Sequence, residues 1–186
     1  PFFSGALGVL AWFYPFLLYI LAIPLGFLVL SQLDLVEVRR EGGLRKYISS
    51  SLMVIRNPLA IWTFFGNFSL FVLLFVIVIY MPILVTDELG LTTAHAGLVI
   101  SIGAGISGLM ASQAGRLSKF SSQLIVSTGF FLCSLALFCI STTNSFIGIL
   151  FCMLIWGNGF GLILPSLTNT AASQAPTELR AGFMSI

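Results

Sequence analysis

Phe71-Val72-Leu73-Leu74-Phe75-Val76-Ile77-Val78-Ile79 is apolar at every position. A strand of a membrane barrel would alternate apolar and polar residues about every second position. A surface helix of a soluble domain would show a polar face every turn. Neither pattern is present, so the run reads as a helix surrounded by apolar matter. Outward from it, the stretch from Leu59 to Val85 carries no charged residue at all. A helix needs about 20 such residues to cross a bilayer core. Four further stretches meet that test: Phe13 to Leu30, Ala94 to Ser112, Leu124 to Ser141 and Phe146 to Ala172. Residues 2–11 read as the tail of an earlier span, joined through a turn at Trp12–Pro15, and residues from Gly182 onward as the opening of another. The expected fold class is an all-α membrane protein, an incomplete helical bundle of about five full transmembrane helices with partial ones at each end.

Composition agrees. Of 186 residues, 58% are hydrophobic and 8% charged, whereas soluble domains average about 25% charged. The mean hydropathy is +1.09. A soluble globule and a disordered chain are both excluded. One His and six acids leave little for a catalytic apparatus, and a net charge of +2 from eight bases is no nucleic-acid footprint. Cys133, Cys139 and Cys152 lie inside apolar runs and read as small buried hydrophobes rather than a disulfide framework. Residues 1–30 lack the basic start of a signal peptide, and their apolar run is too long for one. Starting at Pro1 and stopping at Ile186 in mid-pattern, the chain reads as an internal piece of a longer membrane protein.

Charge sets the orientation. Ser31 to Pro58 holds Arg39, Arg40, Arg45, Lys46 and Arg56, and Thr86 to Thr93 holds only the acids Asp87 and Glu88. The next loop holds Arg116 and Lys119, Thr142 to Ser145 holds no charge, and the last loop holds Arg180. The basic counts run 5, 0, 2, 0, 1, the alternation that the positive-inside rule produces. Residues 31–58, 114–123 and 173–181 are therefore expected in the cytoplasm. In the first of these loops Leu44, Tyr47, Ile48, Leu52 and Ile55 recur at helical spacing among polar and basic residues. They read as an amphipathic helix on the membrane surface; a solvated loop with a weak helix is the alternative. Gly42–Gly43 separates that segment from a mixed-charge stretch.

None of the spans carries Asp, Glu, Lys or Arg, and their one His, His95, sits at a span end outside the apolar run. Intramembrane ionisable residues mark proton relays and ion sites, so a titrating group for proton coupling is expected outside these spans. Parts for an intramembrane enzyme, a metal or a cofactor are missing as well. His95, at the outer end of its span, reads as structural or solvated. Asparagine is the polar residue to follow. Asn67 lies near mid-depth with Thr63 one turn away, and Asn158, Leu162, Pro165 and Asn169 share a face at 100° per residue. An amide facing lipid is costly. These side chains therefore face either a watery cavity, where they bind substrate, or a neighbouring helix, as interhelical ties.

Glycines cluster twice. Gly97, Gly103, Gly105 and Gly108 punctuate one span, with the small-xxx-small pairs Ser101/Gly105 and Ala104/Gly108 expected at a helix contact. Gly157, Gly159 and Gly161, followed by Pro165, punctuate another, where packing and a kink are expected. No strand or ribose-binding acid accompanies the G-x-G spacing, so dinucleotide binding is rejected. Pro24 and Pro82 are candidates to bend their own spans.

Gly115-Arg116-Leu117-Ser118-Lys119-Phe120, between two spans, resembles the short cytoplasmic signature loop of the major facilitator superfamily, in its copy between helices 8 and 9. That signature reads G-R-L-S-D-R-x-G-R-R. The acid is absent here, and Ser122-Gln123 follow where the signature carries basic residues, so the gating ion pair of the full motif lacks its acid in this half. Gly90-Leu91-Thr92 with Ala96-Gly97-Leu98 and Ser101 resembles the opening of helix 8. Gly157-x-Gly-x-Gly-x-x-x-Pro165 with Pro176 to Gly182 resembles helix 10 and the loop after it, and Trp12 with Pro15-Phe16 the outer turn before helix 6.

The resemblance covers essentially the whole chain. It implies three segments: 1–31, the end of an N-terminal bundle (tail of helix 5, helix 6); 32–58, a cytoplasmic linker with an amphipathic helix; and 59–186, a C-terminal bundle from helix 7 to the start of helix 11. By the same resemblance Thr63, Asn67 and Asn158 face a substrate cavity, and Gly115, Arg116 and Lys119 form a cytoplasmic gating loop. Gly105, Gly108, Gly157, Gly161 and Pro165 are expected to serve packing and bending. The implied function is secondary active transport of small molecules by alternating access, coupled to protons or another ion, in the manner of twelve-helix drug and metabolite efflux antiporters of the cell (inner) membrane. The implied partners are the lipid bilayer, a small-molecule substrate, protons and the N-terminal half of the same protein, with no nucleic acid. A non-transporting relative of the fold, an intramembrane enzyme or a receptor-like protein, is the alternative.

Overall fold

The computed structural model describes residues 7, 13–17, 20, 22–32, 57–117, 119 and 121–174. Among these, 91% are helical and no strand is present. The elements are α1 (Tyr14–Leu17), α2 (Ala22–Gln32), α3 (Pro58–Ile83), α4 (Thr93–Ser112), α5 (Ala114–Leu117), α6 (Ser122–Thr142) and α7 (Phe146–Gln174). Four of them, α3 with its extension, α4, α6 and α7, are long and apolar enough to cross a membrane. The span expected from Phe13 to Leu30 is represented by α1 and α2, in neither of which any described side chain is buried. Pro24 lies in the first turn of α2, where a proline removes no intrahelical bond. The expected segments 2–6, 8–11, 33–56 and 175–186, with the amphipathic helix and Arg180, lie outside the described residues.

Local chemistry sets the boundaries of α3. Asn57 is extended (φ −81°, ψ 115°), and its side-chain oxygen accepts from the Leu59 N–H at 3.0 Å. Pro58 follows at the first helical position, where its missing N–H costs nothing. At the far end Pro82 lies inside the helix, and the chain then widens into a π turn, Leu84–Glu88. The Thr86 hydroxyl donates to the Pro82 carbonyl at 2.9 Å. Gly90, at φ +63°, then breaks the helix in the left-handed conformation, which costs glycine no Cβ clash. The Leu91 N–H returns to the Val85 carbonyl at 3.1 Å. Thr92 starts α4 from an extended backbone.

α7 is the hub, packing on α6, α4 and α3, and α3 also touches α4. The most apolar window of α7 is 56% buried, against 22% for α3, 22% for α4 and 17% for α6. The G-x-G-x-G run explains this position. Residues two apart on a helix point to nearly opposite sides, and residues four apart to the same side. Gly157 and Gly161 face α4: a Cβ at either would meet a backbone oxygen there at 2.5 Å, that of Gly103 or of Ser107. Gly159 faces α6, where a Cβ would lie 2.7 Å from the Gly129 oxygen and 2.8 Å from Cys133 Sγ. The three glycines wedge one helix between two others at backbone contact. Lipid tails offer helices no hydrophobic drive to associate, so such close packing is what holds a membrane bundle.

The partner glycine on α4 is Gly103, against Met153 and Trp156. Gly105 and Gly108, expected at the contact, have open space at their Cβ positions among the described residues. Gly105 is two residues from Gly103 and so points away from α7. The core is Leu70, Ile77, Met81 and Val85 of α3 and its extension, Val99 of α4, Cys133 and Ala136 of α6, and Ile149, Met153, Trp156 and Ile163 of α7.

Candidate functional site

Among the expected cavity residues, Thr63 and Asn67 lie one above the other on α3. Buried Thr63 donates from Oγ1 to the Leu59 carbonyl at 2.8 Å, and half-buried Asn67 donates from Nδ2 to the Thr63 carbonyl at 3.2 Å. Half-buried Asn158 repeats the arrangement on α7, donating from Nδ2 to the Leu154 carbonyl at 2.9 Å. Each asparagine ties one amide proton to its own helix. No hydrogen bond joins either amide to another helix among the described residues. Each keeps a side-chain carbonyl and a second amide proton for some other partner.

Depth relates the two. At 1.5 Å per residue, Asn67 lies about 14 Å beyond the start of α3 and Asn158 about 18 Å beyond the start of α7. The two helices run in opposite directions, so both amides fall near the middle of a hydrocarbon core about 30 Å thick. The α7 face that bears Asn158 is the one its neighbours leave uncovered. Ile147 and Phe151 on it are 65% and 63% exposed, Pro165 is half-buried and Asn169 exposed, while Leu162 at its margin is buried. α7 continues unbroken through Pro165 to Gln174.

Thr63 also lines a groove of about 550 Å³ between the first turns of α3, the first turns of α6 and the last turns of α7. Asn67 and Asn158 do not line it. Trp62, Phe65 and Phe130 supply its aromatic surface, and Ser69, Ser122, Gln123 and Ser127 its polar positions. The α6 residues were not expected at a site. The signal for them is the spacing of Gln123 and Ser127, one turn apart at the start of a span.

The loop residues Gly115, Arg116 and Lys119 are exposed at the same end of the bundle as this groove. At the other end are Asp87 and Glu88, the acids among the described residues. There Thr86 Oγ1 also lies 2.8 Å from Asp87 Oδ1, so its one proton is shared between that carboxylate and the Pro82 carbonyl. His95 Nδ1 lies 2.8 Å from the Thr92 hydroxyl, and its ring meets Phe146 edge-on at 5.4 Å. The first contact is local to the start of α4, and the ring contact ties it to the start of α7, a structural use of His95.

Four apolar helices of membrane-crossing length, with α4 and α6 at backbone contact with α7, make this an integral membrane protein of the helical-bundle type. The chain belongs to the Major Facilitator Superfamily, whose family pattern matches it over residues 1–186. No curated protein and no solved structure matches it. Membership makes it, in general terms, a membrane transporter sequence rather than an enzyme, seated in a lipid bilayer and serving a small-molecule substrate.

Proposed function

We propose that these residues form the substrate-bearing C-terminal bundle of a secondary active transporter that works by alternating access and exports small molecules across the cell (inner) membrane. One observation carries the reading: two half-buried amides lie at mid-depth on packed helices, each with hydrogen-bonding capacity that no neighbouring helix takes up among the described residues. Substrate sites in secondary transporters lie near the bilayer midplane, between bundles that rock against each other. The uncovered face of α7 then looks toward the first bundle of the same protein, and Asn67 and Asn158 donate to and accept from the substrate. With no charge inside the spans, a neutral polar substrate group suits this half of the path. The proton or other ion that drives transport binds a titrating residue outside these spans. The alternating charge count supports a cytoplasmic position for residues 31–58, 114–123 and 173–181.

Two measurements test this. Single cysteines at Asp87 or Asn144 are expected to react with a membrane-impermeant maleimide from outside intact cells, and cysteines at Gly43 or Ser121 only after the cytoplasmic side is opened. Outside labelling at Gly43 contradicts the orientation. Full-length protein in liposomes is expected to move a small organic substrate against its gradient when a proton gradient is imposed, and to stop when the gradient is collapsed. If no candidate substrate moves faster than through protein-free liposomes, with the protein folded, the transport reading fails.

A further inference from the structure

The three cysteines are free thiols, and they differ in what they face. Cys133 is fully buried, and its thiol donates to the Trp156 carbonyl at 3.9 Å. Cys152, 5% exposed on α7, lies within hydrogen-bonding reach of two groups near the end of α6. One is the thiol of half-buried Cys139, and the other is the hydroxyl of Thr143.

The register of the α6–α7 hairpin accounts for this pair. Gly129 packs on Gly159 and Ile163, Cys133 on Gly159, and Thr143 on Gly148. Each step toward the end of α6 is matched by a step back toward the start of α7, so Cys139 falls opposite Cys152. The glycine contacts lie on both sides of the pair and hold the two helices close there. A disulfide needs Cβ atoms about 3.5–4.5 Å apart, and thiols already within reach of each other leave little main-chain movement to make. Cys139 is three residues, about 4.5 Å, from the end of α6, and Cys152 six residues, about 9 Å, from the start of α7. The pair therefore lies near one face of the membrane, beside the uncharged loop 143–145. The orientation proposed above makes that the outer face, where disulfides form and persist.

We propose that Cys139 and Cys152 are a redox-active dithiol that closes, under a peroxide oxidant, to a disulfide fastening α6 to α7. Hydrogen peroxide is small and uncharged, so it reaches a thiol at the edge of the hydrocarbon. Cys139, the more accessible of the two, attacks the O–O bond. Its sulfur becomes a sulfenic acid, and one water leaves. The Cys152 thiol then attacks that sulfur, the S–O bond breaks, and the hydroxyl leaves as water with the Cys152 proton. Two thiols and one peroxide give one disulfide and two waters; the sulfurs lose two electrons and the peroxide oxygens gain them. An accessible cysteine beside a resolving one is the arrangement of redox sensors. The bond fastens α7 six residues before Asn158. Its oxidising setting rests on the proposed orientation; the pairing of the thiols does not.

Peptide mapping of the full-length protein in membranes tests the proposal. The protein is treated with hydrogen peroxide, free thiols are blocked with N-ethylmaleimide, and the unfolded chain is cut with chymotrypsin. Cleavage after Phe138, Phe146, Phe151 and Trp156 separates Cys139–Phe146 from Cys152–Trp156, so the two peptides found joined identify the bond. The joined peptides are expected as the main oxidised product and are lost on treatment with dithiothreitol, while Cys133 is recovered carrying maleimide. Cys152→Ala is expected to abolish the link and leave Cys139 as a sulfenic acid that dimedone traps. Cys139→Ala is expected to abolish the link and leave Cys152 as a free thiol. Both thiols of the parent recovered with maleimide after peroxide, and again after the thiol oxidant diamide, overturns the proposal. So does a disulfide from Cys139 to any other cysteine. If the link forms but a cysteine at Asn144 reacts only from the cytoplasmic side, the orientation fails and the dithiol stands.

Discussion

Gly161→Leu is expected to unseat α7 from α4 and lower the stability of the bundle by about 3 kcal/mol, the upper end of what overpacking usually costs. A Cβ at Gly161 would lie 2.5 Å from the Ser107 oxygen, 2.8 Å from Met110 Cβ and 3.0 Å from Ser107 Cα. Two of these atoms are backbone and the third is a Cβ, so no side-chain rotation relieves the clash. The helices must separate. Separation opens the contacts of Gly157 with Gly103 and Ile106 as well, because both glycines lie on the same face. Gly105→Ala is the matched control. Nothing described lies within 4 Å of its Cβ position, and alanine in a helix interior is favoured over glycine by about 0.5–1 kcal/mol. That variant is expected to melt at or slightly above the parent temperature. Thermal melting of the purified full-length protein, with the monodisperse fraction measured on a sizing column, checks both. A Gly161→Leu protein that melts with the parent contradicts the close contact of α4 and α7.

This pair of glycines also shows how far the sequence reads. Span limits were legible because the contrast between apolar runs and polar loops is steep. The stretches Ala94 to Ser112 and Leu124 to Ser141 emerge as α4 and α6 with ends within two residues. The Asn57–Pro58 step likewise puts the start of α3 within one residue of its expected place. Spacing, however, identifies a face and not the neighbour against which it packs. Ser101/Gly105 and Ala104/Gly108 have the small-xxx-small spacing, but α7 lies on the side of Gly103. The G-x-G-x-G run announced close approach without revealing that it serves two neighbours at once. The π turn after Pro82 had no signal beyond the proline itself. Asparagine in a span was readable as costly. That its first bond goes to its own helix, leaving the rest of the amide free, required the fold. The groove residues Ser122, Gln123 and Ser127 gave little sign of a site, because a few hydroxyls and an amide at a helix start are ordinary.

Asn158→Leu is the second change with a large expected effect. Leucine keeps the bulk but removes the amide, and a substrate group that had bonded to it is left unsatisfied in a dry site. Such a loss costs about 1–3 kcal/mol, so the apparent substrate affinity is expected to fall on the order of tenfold. Asn158→Ala removes the same bonds but leaves room for water, and a several-fold loss is expected. Asn67→Ala is expected to resemble it, since Asn67 makes the same bond to its own helix on α3. Stability should change little in all three, because the bond each amide makes is local and the helix backbone survives without it. An interhelical tie would behave in the opposite way, lowering the melting temperature and sparing affinity. The measurement that separates these is paired: substrate affinity and melting temperature on the same purified full-length Asn67→Ala and Asn158→Ala proteins. Weakened affinity with near-parent melting is the predicted result. Parent affinity with lowered melting in both variants would remove these amides from the substrate path.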